Sequence, residues 1–368
     1  LRRCRPYAVV SGNRMPVSGN IRQHTGGLPR GAMVPLLPMT ESGPHPAGRP
    51  PALPAAATGP SVPRAAFPMA TMGGNQLWGD ELVYRNWRIQ RHIYTGHCRL
   101  LDGDNVRRAS GTFEACQAYL AVYCREHNLP PMQGRVVLIL HGMIRTRRAM
   151  LPLSWRVAEA LPAATVVCLS YPSTRASVAD HAARLARVID HLGDGVTQID
   201  FVGHSLGNIV VRHLLGDQLR AHGDVDRRFG RMVMIAPPNR GSRRALAWSN
   251  RRLFQLVMGS PGQELSVGWR QLQERLATPP FPFGIIAGAK GDGRSWKRYL
   301  PGDDDACISV ATTRLAGAHD FITVKARHTF IMYHPQVQEY TARFLAEGYF
   351  ISEETRQPIV TLDDDGEL

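Results

Sequence analysis

No run of eighteen or more apolar residues occurs in the sequence, so no helical membrane span is expected. Its six cysteines (Cys4, Cys98, Cys116, Cys124, Cys168 and Cys307) form no CxxC pair and no zinc-type spacing, which removes a redox pair and a structural zinc site. They read as reduced, mostly small core residues, and a reduced set points to the cytoplasm. The formal net charge of +14 invites a nucleic-acid or anionic-surface reading. Two further absences weaken it. Basic residues never run longer than a pair, and in residues 1–70 aromatic and basic residues do not interleave. No nucleic-acid partner is expected.

Residues 1–70 lack any hydrophobic period and are rich in Pro, Gly, Ala and Arg. They hold eight arginines, no lysine and one acid, Glu41, and so carry half of the net charge. Such a stretch cannot bury enough surface to offset chain entropy, and disorder is expected. It matches a transit peptide in being Arg-rich and acid-poor, but it is Pro-dense and has no amphipathic period or compact apolar h-region. Met69 and Met72 stand where the folded pattern begins, so an overextended gene start is the favoured explanation of the arm. A basic arm that touches an anionic membrane surface transiently is the functional alternative.

From Leu77 the texture changes. Residues 82–101 contain β-branched and aromatic residues around Thr95-Gly96, the pattern of a hairpin or two short strands, and 111–125 place Phe113, Cys116, Leu120 and Tyr123 on one helical face. Residues 77–130 are thus a hairpin and helix leading into the core, and would supply the first strands of its sheet. Then β and α segments alternate. Arg135–Leu140, Ala164–Leu169, Ile199–Val202, Met232–Ile235, Phe283–Ala287 and Phe321–Val324 read as buried strands; 147–160, 177–192, 206–221 and 335–347 read as helices. The fold class this predicts is α/β: a doubly wound, mostly parallel sheet with helices on both faces, over 131–350. Residues 351–368 form an acidic tail. In such sheets sites form beyond the carboxyl ends of the strands.

Residues Gly203-His204-Ser205-Leu206-Gly207 form a GxSxG pentapeptide between a buried strand and an amphipathic helix. Ser205 is the candidate nucleophile. The sharp turn requires small flanks, Gly203 and Gly207, and the following helix aims its N-terminal amides at the reacting centre. His204 would face away from the site as a structural, hydrogen-bonded residue. His141-Gly142-Met143 follows the first buried strand. An oxyanion needs two amide donors; the Leu206 and Met143 N–H groups are the candidates, with Gly142 giving Met143 room to turn.

A serine needs a base held by a carboxylate, and in this fold the order along the chain is Ser, then Asp or Glu, then His. His328 follows the last strand by a short loop. His319 precedes that strand and His334 opens the closing helix, so both are worse placed. The acid lies among Asp303, Asp304 and Asp305, of which one must turn inward.

These motifs resemble the lipase/esterase branch of the α/β-hydrolase superfamily over roughly residues 134–350. Gly203–Asn208 looks like the lipase elbow. Ala236-Pro237-Pro238-Asn239-Arg240-Gly241-Ser242 resembles the Pro-Asn-x-Gly-Ser segment of bacterial triacylglycerol lipases and related inositol-deacylase-like enzymes. Asp305-Ala306-Cys307-Ile308 resembles the family's Asp-Gly-x-Val segment, which implies Asp305 as the acid and Asp304 as reserve, with Ala306 where Gly is usual. The insertion between Gly241 and Pro279, with Trp248, Phe254, Met258 and Trp269, implies a lid over 243–280 or an ordinary crossover helix.

The expected function is a serine hydrolase that cleaves a small-molecule ester or lipid through an acyl-enzyme, with no metal and no cofactor. An acyltransferase or amidase using the same three residues is the alternative among enzymes, and a non-catalytic binding protein on the same scaffold is the alternative outside them.

Overall fold

The described residues are organised around two sheets. They are seen in a computed structural model that describes residues 69–70, 76–241, 259–296 and 302–361. The expectations for 1–68, for 242–258 and for the last seven residues lie outside the described residues.

The N-terminal sheet is antiparallel. Its strands are β1 (Met69–Ala70), β2 (Trp78–Tyr84), β3 (Trp87–His92), β4 (Cys98–Leu101) and β5 (Val106–Gly111), in the spatial order β1-β5-β4-β3-β2. Leu82, Trp87, Ile89, Cys98, Leu100 and Ala109 make one apolar layer, which packs on Cys116 and Leu120 of helix α1 (Phe113–Glu126). Thr112 starts that helix, its hydroxyl accepting the Ala115 N–H at 3.2 Å. The expectation of a hairpin feeding the main sheet is therefore corrected. β5 carries Arg107 and Arg108 mid-strand and ends in glycine, so it shows no period-two apolar pattern, and the five strands form a sheet of their own.

The second sheet is wholly parallel: β6 (Gly134–Leu140), β7 (Thr165–Leu169), β8 (Val196–His204), β9 (Phe229–Ile235), β10 (Phe283–Ala289) and β11 (Asp320–Lys325), ordered β11-β10-β9-β8-β6-β7. Its strands are apolar on both faces because both are covered. On one face lie α2 (Leu151–Ala160), with Leu153 and Val157, and the closing helix Pro335–Glu347, with Val337, Phe344 and Leu345. On the other lie α3 (Val178–Asp190) and α4 (Leu206–His222). This is the doubly wound architecture read from the sequence. Strand order reverses around β6, so the loops after β6 and β8 diverge at the switch point where such sheets place their sites.

Of the insertion after β9, the described part packs inward. Leu265, Trp269 and Leu272 join the main core, the last two from a short helix, Trp269–Gln273.

Two buried carboxylates of β2 tie the N-terminal sheet to the loop after β7 and to α3. The Asp80 carboxylate accepts from Arg88 and Gln90, each at 2.8 Å, and from the Ser170 N–H beyond β7 at 2.7 Å. Glu81, 1% exposed, accepts from Arg184 and Arg187 of α3. Removing one partner of such a group strands a desolvated charge. Glu81→Leu should therefore lower the unfolding free energy by about 3 kcal/mol, measured by urea denaturation at neutral pH; a loss below roughly 1 kcal/mol would mean the pair behaves as a surface contact.

Candidate active site

Ser205 sits between β8 and α4 with φ 52° and ψ −117°, a conformation that a residue with a side chain rarely adopts. The turn can form only because its neighbours are glycines. A Cβ on Gly203 would lie 2.2 Å from Asn208 Oδ1, and one on Gly207 would lie 2.8 Å from Leu140 Cβ and the Leu140 carbonyl. Asn208 clamps the turn, its amide donating to the Ser205 carbonyl at 3.1 Å and the Ile235 carbonyl at 3.2 Å.

His328, in the loop after β11, meets Ser205. Its Nε2 lies 3.0 Å from Ser205 Oγ, and its Nδ1 lies 2.7 Å from Asp305 Oδ2. Asp305 is fully buried, and its other oxygen accepts the Cys307 and Ile308 N–H groups at 2.9 and 2.7 Å. A carboxylate so satisfied keeps one oxygen for the imidazole. Ala306 takes φ 74°, the left-handed conformation for which the resembled segment has glycine. The three aspartates divide their work. Asp303 accepts the Lys290 and Gly291 N–H groups, and Asp304 accepts those of Trp296 and Ala306, so only Asp305 faces His328. The reserve acid, Asp304, binds loop amides instead. His319 donates its N–H to the Phe283 carbonyl at the amino end of the sheet, and His334 begins the closing helix.

Met143 and Leu206 follow β6 and Ser205, and neither N–H has a hydrogen-bond partner among the described residues. Gly142 is needed here: a Cβ on it would stand 2.7 Å from His204 Nδ1 and 3.2 Å from Ser205 Cβ. His141 is buried, donates from Nδ1 to the Gly142 carbonyl at 2.8 Å and stacks on Tyr171 at 4.2 Å. His204, 2% exposed, donates from Nε2 to the His328 carbonyl at 3.1 Å. A carbonyl can only accept, so this bond sets the tautomer and leaves Nδ1 bare.

Two supporting residues escaped the sequence reading. Tyr171 donates its hydroxyl to the His141 carbonyl beneath the loop. Gly288 lets Asp305 approach β10, since a Cβ there would lie 2.7 Å from Asp305 Cβ. A glycine inside a strand pattern was the available signal for the second; a tyrosine after a strand carries none. Asn239 of the Pro-Asn-x-Gly-Ser segment is buried and bonds Arg212 and the Thr313 carbonyl, so it ties loops together rather than reaching Ser205.

The chain belongs to the alpha/beta hydrolase family, whose profile matches residues 136–364. Among solved structures it is similar to lipase BlEst2 of Bacillus licheniformis in its mature form (17% identity, TM-score 0.42, covering 59% of this chain and 91% of that one). It is also similar to phospholipase PlaB of Legionella pneumophila (20%, 0.39, 49% and 44%) and to an esterase of Pyrobaculum calidifontis (14%, 0.40, 72% and 84%). The match thus spans less than half of the PlaB chain. No curated protein matches the chain significantly.

Burial also sets a pH limit on this region. It pushes His141 down to about 4 and His181 of α3 to about 3; burial, and then the neighbouring His328, hold His204 well below the ordinary 6.5. Above pH 6.5 these histidines are neutral whether the chain is folded or not. Below it the unfolded chain binds protons that the folded chain refuses, so stability falls with pH by about 1.4 kcal/mol per unit for each histidine. Urea midpoints measured from pH 7.5 to 5 should fall accordingly, and His181→Leu should flatten the descent by one proton; an unchanged slope would show that His181 titrates normally in the fold.

Proposed function

We propose that the protein is a serine hydrolase that cleaves carboxylic esters by two-step acyl transfer, with Ser205 as nucleophile, His328 as base and Asp305 as its orienting acid. The observation that carries this reading is the continuous hydrogen-bonded chain from Ser205 Oγ through His328 to Asp305, set at a strained strand-to-helix turn. Ser205 Oγ would attack the ester carbonyl while its proton passes to His328 Nε2. Asp305, accepting from Nδ1, would hold the ring in position and stabilise the imidazolium. Charge would build on the former carbonyl oxygen, where the Met143 and Leu206 N–H groups would meet it. His328 would return the proton to the departing alkoxide. Water, deprotonated by the same ring, would then release the acid and regenerate Ser205. The substrate class that follows is a small-molecule or lipid ester.

Hydrolysis of p-nitrophenyl esters by the full chain tests this. Ser205→Ala should lower kcat by about 10³-fold or more, and Asp305→Asn by about 10²- to 10⁴-fold. Asp304→Asn should leave kcat within about 3-fold, because its carboxylate binds only loop amides. Full activity in Ser205→Ala, or failure of a fluorophosphonate to label Ser205, would remove the serine-hydrolase reading.

A further inference from the structure

The loop that carries the Met143 N–H is itself a strained turn. The Arg145 N–H donates to the Gly142 carbonyl at 3.3 Å, with Met143 and Ile144 between them. Ile144 takes φ 62° and is exposed, so a β-branched residue holds a conformation suited to glycine without burial of its own side chain to hold it there. Such a turn persists only where its surroundings over-determine it.

It is held from two sides. On one, the Arg145 guanidinium donates to the Thr329 carbonyl at 3.0 Å, next to His328. On the other stands the N-terminal segment. The Gln76 side-chain amide donates to the Arg145 carbonyl at 3.0 Å, while its oxygen accepts the Thr174 N–H at 3.0 Å, the Thr174 hydroxyl at 3.1 Å and the Ser173 hydroxyl at 3.3 Å. One carboxamide therefore bridges the loop after β6 to the loop after β7. Arg147, two residues beyond the turn, donates to the Asn105 side chain between β4 and β5. The residue leading into the antiparallel sheet thus grips the turn at Arg145, and the sheet itself holds the segment beyond it at Arg147.

We propose that Gln76 is a positioning residue for the acyl-transfer step, fixing the Gly142–Arg145 turn so that the Met143 N–H meets the developing oxyanion. The proposal rests on the ester-hydrolase reading and assigns the N-terminal sheet a part in the reaction. The donor at Met143 does its work only in the transition state, so its displacement lowers kcat rather than raising KM.

The test uses the full chain with Gln76→Ala and Gln76→Glu, assayed on p-nitrophenyl butyrate alongside thermal unfolding. Gln76→Glu keeps an oxygen for Thr174 and Ser173 but has no N–H for the Arg145 carbonyl. Both variants should lose about 10-fold in kcat with KM within about 2-fold, the size expected of a misplaced oxyanion donor. Fluorophosphonate labelling of Ser205 should slow by a similar factor, and the melting temperature of Gln76→Glu should stay near that of the unaltered chain. A wild-type kcat in Gln76→Glu overturns the proposal and leaves the hydrolase reading intact. A loss of kcat that only follows a loss of folded protein in both variants also overturns it. Absence of Ser205-dependent turnover in the unaltered chain overturns both.

Discussion

The turn at Ser205 is the constraint on which the rest of this structure hangs. A non-glycine residue at φ 52° costs of order 1–3 kcal/mol and holds only if its surroundings leave it no alternative. Those surroundings are the parallel sheet. β8 is paired on both sides, to β6 and to β9, and the Ser205 N–H donates to the Ile235 carbonyl at 2.9 Å. Gly203 and Gly207 admit Asn208 and Leu140 to places a side chain would fill. Remove the close approach of these elements and nothing compels Ser205 to hold its hydroxyl toward His328.

The strain is not confined to that residue. Among the described residues, four non-glycine positions with positive φ follow strands of the parallel sheet: Ile144 after β6, Ser205 after β8, Ala236 after β9 and Ala306 after β10. All four loops leave the carboxyl edge of that sheet. The other three, Arg85, Asn105 and Asn128, lie between β2 and β3, between β4 and β5, and between α1 and β6. Strained backbone collects where a fold must present groups rather than bury them, and its cost is met by the apolar layers below.

Much of this was legible in the sequence for physical reasons. Strands buried on both faces read as unbroken apolar runs, so β6 to β11 could be placed within a residue or two at most ends. Ser205 stood out as a candidate because a sharp turn demands glycines at fixed offsets, and His328 because chain order restricts where a candidate base can fall. The N-terminal sheet was only half legible. Its strands are short and rich in arginine; Arg88 and Arg99 are buried against Asp80 and Gln90 rather than exposed, and a rule that places charges outside misreads such strands. The same rule hid Glu81, buried under two arginines. Asp305 could be separated from Asp303 and Asp304 only by resemblance, because three adjacent carboxylates differ in orientation, which no composition records.

Burial decides what each histidine here can do. His141 and His204 sit in surroundings that disfavour charge, and each spends one nitrogen on a carbonyl, so they act as neutral, fixed spacers beneath the loops. His328 differs in having a carboxylate at 2.7 Å and a ring that is 13% exposed. In the proposed reaction that pairing would give a positive charge on the ring a counter-ion. A cationic His204, with its ring centre 5.0 Å from that of His328, would oppose the same charge. Its desolvation keeps that repulsion away, so the apolar packing under the elbow would serve the proposed reaction electrostatically as well as sterically.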